Sequence, residues 1–298
     1  MKRSLGEKTF NVFNVCLMLL LSVIMIYPYL NQVAISFNEG MDTALGGITI
    51  LPRKFTFQNY ATVFSNRDLL GGAIISVSRV ILEVVLSIAV VFSAAFGLTR
   101  KHLAYRSGLT IFLMIPAYVS AGVIPIYIIY RYLGLINSYW VYIIPRLFVF
   151  YNMVIVRSFL QELPDSIEES AKIDGAGDLC IMLKIALPLC KPVLATIALW
   201  VSVGAWNDWT STLYYVTEPD LYPLQYIMMK LIKESEVAQK MAAEAAMTGT
   251  TGTGASFIPT SDSIKAATLI ITTLPIIMVY PFLQKYFVKG VTVGAVKG

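Results

Sequence analysis

Apolar residues fall in long runs along this chain, and polar residues gather between them. Runs at roughly 10–36, 70–98, 108–131, 138–160, 192–216 and 265–285 are dominated by Leu, Ile, Val, Phe, Ala and Met. Each reaches the about 20 residues that a helix needs to cross a hydrocarbon core of about 30 Å. The pattern predicts six membrane-spanning helices, and no period-two alternation competes with it, so the expected fold class is an all-α integral membrane protein. Proline falls within or beside several runs (Pro28, Pro116, Pro125, Pro145, Pro275, Pro281). In a bundle, neighbouring helices satisfy the backbone groups that proline frees. No small-x-small cleavage pattern follows the first run, which points to a retained helix and not to a removed signal peptide.

One polar interruption has an internal grammar. In "LPDSIEES", Pro164 acts as a breaker, Asp165 is a candidate N-cap, and Glu168 lies three residues on, the reciprocal arrangement of a capping box. A short helix starting there should stop at Gly175 or Gly177, because glycine accepts the left-handed conformation at a helix end. Asp178 is placed to cap a second helix, whose Leu179, Met182, Leu183 and Ala186 recur at helical spacing until Pro188 ends it. The prediction is a helix, a glycine turn and another helix on the membrane face, read as a docking surface.

Composition agrees with burial in lipid: 57% of residues are hydrophobic and 14% charged, with a mean hydropathy of +0.69. Lys2, Arg3 and Lys8 precede the first run, Arg100, Lys101 and Arg106 separate the second from the third, and Lys285, Lys289 and Lys297 follow the last. The positive-inside rule places these in the cytoplasm, with both termini. Alternation then puts 161–191 there as well, with Lys172, Lys184 and Lys191, and leaves 37–69 and 217–264 outside. Lys230, Lys233 and Lys240 oppose that last assignment, but long loops translocate largely regardless of charge. The net charge of +5 therefore reports topology and does not call for a nucleic-acid partner. Cys16, Cys180 and Cys190 lie in the first run and the cytoplasmic segment, where disulfides are rare. Their spacing suggests no metal site, and the single histidine, His102, reads as a solvated loop residue.

Glu169, Ser170 and Ala171, followed by Asp174, Gly175 and Ala176 and then by Ile185, Leu187 and Pro188, resemble the cytoplasmic EAA signature of permease subunits of bacterial ABC importers. Ser170 stands where that signature usually has alanine, a small residue for a small one. "FTFQNYATVFSN" (55–66), "GVIPIYIIYRYLGLINSYWVYIIP" (122–145), "GAWNDW" (204–209) and "KGVTVGAVKG" (289–298) are similar to the carbohydrate-uptake, maltose-type branch. The terminal "GAVKG" resembles the complex-sugar, lipoprotein-linked subgroup. The resemblance implies a type I importer permease fold in a bacterial cell membrane, with a coupling helix that enters a cleft of the ATP-binding subunit. It also implies a second permease subunit, two ATP-binding subunits, an extracytoplasmic solute-binding protein, surrounding membrane lipid and a carbohydrate cargo, an oligosaccharide. The expected organisation is a tail and first helix over 1–36, an extracytoplasmic loop over 37–69, a permease domain over 70–285 with its coupling segment at 163–191, and a cytoplasmic tail over 286–298.

There is no G-x-x-x-x-G-K-[ST] motif, so ATP and Mg are expected to be used by partner subunits, with no cofactor, metal or enzymatic activity on this chain. "TGTTGTG" (248–254) reads as a flexible loop. For the cargo, aromatic rings can cover the apolar faces of a sugar while amides and carboxylates bind its hydroxyls. Candidates are Trp206, Asn207 and Trp209 beside Asp208, with Tyr118, Tyr151 and Asn152, and further Tyr127 and Tyr130. The same aromatics suit an interface belt or helix packing, and both readings stay open. Arg79 and Glu83, four apart, are expected to neutralise each other on one helix face. Two other classes compete. A secondary transporter would show matched halves around ionisable groups, and a membrane assembly factor would not need the Asp-Gly-punctuated insertion.

Overall fold

A computed structural model describes residues 5–65, 67–234, 237 and 262–295. Lys240, the stretch 248–254 and the last three residues of the terminal motif lie outside them. Among the described residues the regular structure is helical, apart from one isolated antiparallel bridge between Asn38 and Phe55. The chain divides into two compact units, Met1–Leu69 with Met228–Leu274, and Leu70–Ile227 with Pro275–Gly298.

In the first unit, α1 (Leu5–Ser36) is long and apolar enough to cross a membrane, and its side chains from Phe10 to Ile26 are exposed. An apolar surface of that extent suits lipid better than water. Near its end, Tyr29 hydroxyl lies 3.4 Å from Thr273 Oγ1 on the first half of α14 (Asp262–Ala295). After α1 the chain folds into a knot around the buried Asn38. The Asn38 amide donates to Asp42 Oδ2 (2.9 Å) and Thr43 Oγ1 (3.0 Å), and its oxygen accepts from the backbone N–H groups of Arg53 and Lys54, both at 2.8 Å. Asp42 and Thr43 belong to the short α2 (Gly40–Ala44). Gly46 and Gly47, at φ +71° and +77°, turn the chain so that Arg53 Nη2 reaches the Gly46 carbonyl at 2.7 Å. From α3 (Gln58–Ser65), Asn59 donates to the carbonyls of Ser36 and Asn38 and closes the knot.

The second unit carries α4 (Arg67–Thr99), the other helix long and apolar enough to cross on its own. The third, fourth and fifth predicted runs are not single straight helices. The third breaks at 119–122 into α5 (Arg106–Tyr118) and α6 (Val123–Tyr132), bent by 117°. Pro116 weakens the end of α5, and Gly122 takes φ +82° to start α6. The fourth begins as two 3-10 turns, Tyr139–Tyr142 and Ile144–Arg146, before α7 (Phe150–Gln161), with a 45° bend near Pro145. The fifth is α11 (Lys191–Asn207) and α12 (Thr210–Tyr215), parted at Asp208 and Trp209. The sixth falls on α14, which contains Pro275 and Pro281.

Between α7 and α11 lies the segment with α8 (Asp165–Ile173), α9 (Asp178–Cys180), a π-helical turn over Ile181–Ala186, and α10 (Leu187–Leu189). Its Ala171, Ile181 and Ala186 join one hydrophobic core with Val91, Phe92 and Phe96 of α4, Met153 and Val156 of α7, and Ile197 of α11. A helix over 224–234, α13, is approached by a chain passing so close to α4 that a Cβ at Gly72 would sit 3.1 Å from the Tyr222 carbonyl oxygen.

Asn38→Ala should open the knot, because it strands the Arg53 and Lys54 N–H groups at about 1–3 kcal/mol for each unsatisfied group. Amide exchange at those two residues should accelerate markedly, and exchange equal to the parent protein would refute the role given to Asn38. The Asn38 amide, assisted by Arg53, holds the Asp42 carboxyl below its ordinary value. A lowered carboxyl pKa stabilises the knot above the ordinary carboxylate range, and that contribution declines as pH falls from that range through the lowered value. Protection of the loop should thus hold from neutral pH down to the ordinary carboxylate range and weaken progressively below it.

Candidate coupling segment and buried charge cluster

The candidate coupling segment, 163–191, sorts its signature residues into buried anchors and exposed groups. Ala171 is buried, and Ala176, Ile185 and Leu187 are half-buried against the core, while Glu169, Ser170, Asp174, Gly175 and Pro188 are exposed. Gly175 ends α8 at φ +82°. The Ala176 N–H bonds to the Ala171 carbonyl (2.9 Å) and the Gly175 N–H to that of Lys172 (3.0 Å), the paired bonds of a Schellman motif.

The expected capping box does not form. Pro164 occupies the cap position and Asp165 is already the first helical residue, with no side-chain cap bond. With the cap shifted to Pro164, the third helical position is Ile167 and not Glu168, and proline offers neither a side-chain acceptor nor an N–H, so neither half of the box is possible. Glu168 turns instead to Arg100, whose Nη1 and Nη2 meet its two carboxylate oxygens at 2.5 and 2.8 Å. Asp178 is likewise the first residue of its helix, with Gly177 at the cap.

Pro188 does not end the second helix directly. The proline ring conflicts with the carbonyl four residues back, and the π-helical turn just before it widens the register to relieve that conflict. The wider turn also changes which apolar residues face inward. Ile181 and Ala186 are buried, whereas Leu179 (67% exposed) and Leu183 (49%) are not, and Ile173 at the end of α8 is 86% exposed. A cleft of about 440 Å³ beside these helices is lined by Arg100, Lys101, Glu168, Glu169 and Ile185, among others. His102 is exposed, with Nε2 4.0 Å from Asp178 Oδ2.

The candidate cargo-contacting residues occupy different environments. Trp206 is buried (9% exposed), Asn152 is buried in α7, and Trp209 is half-buried. Asn207 is exposed and donates to the Val203 carbonyl at 3.0 Å. Tyr118 is exposed at the end of α5. Tyr151 stacks on Trp200 with centroids 6.2 Å apart, and its own side is 65% exposed. Trp200 was not singled out in the sequence. It sits in mid-run on α11, and only the approach of α7 marks it. Tyr127 and Tyr130 both meet Tyr215.

Arg79 and Glu83 do not neutralise each other as expected; each is paired with another element. Arg79, 1% exposed, donates through Nη2 to the carbonyls of Ala205 and Asp208, the latter at 2.7 Å, and its Nη1 is 3.7 Å from Asp208 Oδ2. Arg146 completes the cluster, with Nη1 3.3 Å from Asp208 Oδ2 and Nε donating to Glu83 Oε1 at 3.0 Å. The physical reason is the break after α11. A helix end leaves carbonyls without intrahelical partners, and a guanidinium fork can satisfy two of them while pairing with a carboxylate. Asp208 Oδ1 also accepts from the Ser211 N–H (3.2 Å), capping α12. The guanidinium of Arg79 lies over the Tyr142 ring, 5.0 Å from its centroid. Gly204 leaves room for Arg146, since a Cβ there would lie 3.1 Å from Nη2.

Residues 88–293 match the family described as binding-protein-dependent transport system inner membrane component. The chain is 36% identical to protein LplC of Bacillus subtilis (strain 168), over 98% of this chain and 97% of the relative. It is 32% identical to the polygalacturonan/rhamnogalacturonan transport system permease protein YtcP of the same organism, over 94% and 96% of the two chains. Its structure is similar to that of a chain of a bacterial ABC transporter involved in the import of the acidic polysaccharide alginate, with a TM-score of 0.85, 25% identity, and 96% and 99% coverage. The chain belongs to the family of binding-protein-dependent transport system inner membrane components, and it is a permease subunit of an ABC importer.

Proposed function

We propose that this chain forms half of the membrane path of an ATP-driven oligosaccharide importer, and that segment 163–191 couples the path to ATP-binding subunits. The observation that carries the cargo class is similarity along nearly the whole chain to transport proteins named for polysaccharides, polygalacturonan/rhamnogalacturonan in one case and alginate in another. A second permease subunit completes the path, an extracytoplasmic solute-binding protein delivers the cargo, and two partner subunits use ATP and Mg. This chain binds no cofactor of its own.

The coupling role is supported by the division within the segment. Ala171, Ile181 and Ala186 hold it to the core, while Glu169, Ile173, Leu179 and Leu183 are presented outward, a mixed apolar and acidic surface suited to a protein cleft. Six spans with both termini in the cytoplasm place this segment inside and the Asn38 knot outside. In this reading 1–36 is a tail and first span, 37–69 an outer loop, 70–285 the permease domain and 286–298 a tail. Along the path, Asn207, Trp209, Tyr118 and Tyr151 touch sugar, and the buried Trp206 and Asn152 fix the surfaces on which they sit.

Gly175→Val puts a β-branched residue at φ +82°, at a cost of about 1–2 kcal/mol or more, and should misdirect the chain into α9. Uptake should fall severely for Gly175→Val and for Glu169→Lys while both proteins stay in the membrane. Normal uptake and normal co-purification of ATPase by both variants would remove the coupling assignment. In intact cells and a cysteine-free background, Ser65→Cys should react with an impermeant thiol reagent and Ser166→Cys should not; labelling of the latter overturns the orientation. The cargo class is tested with the reconstituted transporter and a panel of acidic and neutral oligosaccharides. At least one should be imported, and Asn207→Ala should change the order of preference at equal amounts of folded protein. No uptake of any saccharide, with amino acids or ions transported instead, would refute the reading.

A further inference from the structure

Arg100 leaves the end of α4 at the edge of the coupling segment and is buried there, with its guanidinium 3.9 Å from the centre of the Phe96 ring. Phe96 is part of the main core, so the charge rests on a fixed platform. Both terminal nitrogens bond Glu168, 68 residues further along the chain, and Nη1 also lies 3.9 Å from Asp178 Oδ1 on α9. Glu168 and Glu169 are neighbours in sequence but about 100° apart around the helix. One is tied inward to Arg100 and the other is exposed. The segment is already continuous with α7 and α11 and shares a hydrophobic core with α4 through Ala171, Ile181 and Ala186, and the ion pair adds a directional polar fastening to that same helix.

That helix differs from the broken runs. No proline interrupts α4, and its other buried arginine, Arg79, holds the break between α11 and α12 through Ala205 and Asp208. The two arginines are separated by about 31 Å at 1.5 Å per residue. The unbroken stretch of α4 between Arg79 and Arg100, anchored at both of these points, can carry a displacement from one anchor to the other.

We propose that Arg100 is a positioning residue for energy coupling: its two-pronged bond to Glu168 fastens α8 to α4, so that displacement of the coupling segment is delivered along α4 to the Arg79–Asp208 junction. The inference rests on the coupling role proposed for 163–191. A lysine at position 100 would keep the charge but lose the fork that fits both carboxylate oxygens.

The test is hydrogen exchange on the purified complex of this chain with its partner permease and ATP-binding subunits, with and without ATP plus vanadate. In the parent complex, nucleotide should alter exchange in both 165–189 and 205–212. In Arg100→Gln, Glu168→Gln and the double variant, the response of 165–189 should remain, which also reports an assembled complex. The response of 205–212 should shrink by about tenfold in Arg100→Gln and in the double variant, with Arg100→Lys and Glu168→Gln, which leaves the Asp178 contact in place, falling between these and the parent. An undiminished response of 205–212 in Arg100→Gln overturns the inference and leaves the coupling role standing, as does a parent complex in which 165–189 responds and 205–212 does not. No response of 165–189 in the parent complex defeats the coupling role itself and the inference with it.

Discussion

A charged group in the apolar interior of a membrane protein has no bulk water to turn to, so its partners must come from the protein. Arg79 meets this requirement where another element has the opposite need. The run that begins at Lys191 stops being helical at Asp208, and its last carbonyls lose their intrahelical donors. The guanidinium supplies those donors, Asp208 supplies the counter-charge, and Arg146 links the pair to Glu83. Two positive and two negative groups thereby neutralise one another across α4, the Ile144–Arg146 turn and the end of α11. A buried helix break, costly by itself, becomes tolerable because a buried charge, also costly by itself, is placed against it. Breaking one member of such a buried set leaves the others uncompensated, which is why these groups act as a unit.

The same economy governs the coupling segment. Arg100 is another buried guanidinium at the end of the same helix, and it too takes its counter-charge from a distant element. The result on α8 is a division of labour between adjacent residues. Small and apolar positions hold the segment to the core, the Gly175 turn sets the direction of the following helices, and Glu169, Ile173, Leu179 and Leu183 remain exposed. The π-helical turn before Pro188 contributes to this division by turning Leu179 and Leu183 outward and Ile181 and Ala186 inward.

Much was legible in the sequence. Long apolar runs announced helices because lipid demands that every backbone group be bonded within its own segment or to a neighbour, and among the described residues two of these are long and apolar enough to cross a membrane on their own. The turn inside 163–191 was legible because the glycine signal is local: Gly175 ends α8 for a reason contained in its own missing side chain. Glu169 to Ala171, Asp174 to Ala176, and Leu187-Pro188 carried the family resemblance, and the family match over 88–293 spans the same residues.

Other features depended on what approached from elsewhere in the chain. That Glu168 would reach Arg100 instead of capping its own helix, that Arg79 and Glu83 would each find a different partner, and that Trp200 would lie against Tyr151 all involve residues tens of positions apart. Helical spacing put Arg79 and Glu83 on one face, but spacing cannot say whether a closer, better-oriented partner arrives from another helix. The bends at 119–122 and near Pro145 show the same limit: proline and glycine marked where a helix could break, and only packing decided by how much. By itself the sequence determined the class of element, the glycine turn at Gly175 and the family resemblance. Only the tertiary structure decided which charges pair and which apolar residues face outward, because those choices depend on three-dimensional proximity.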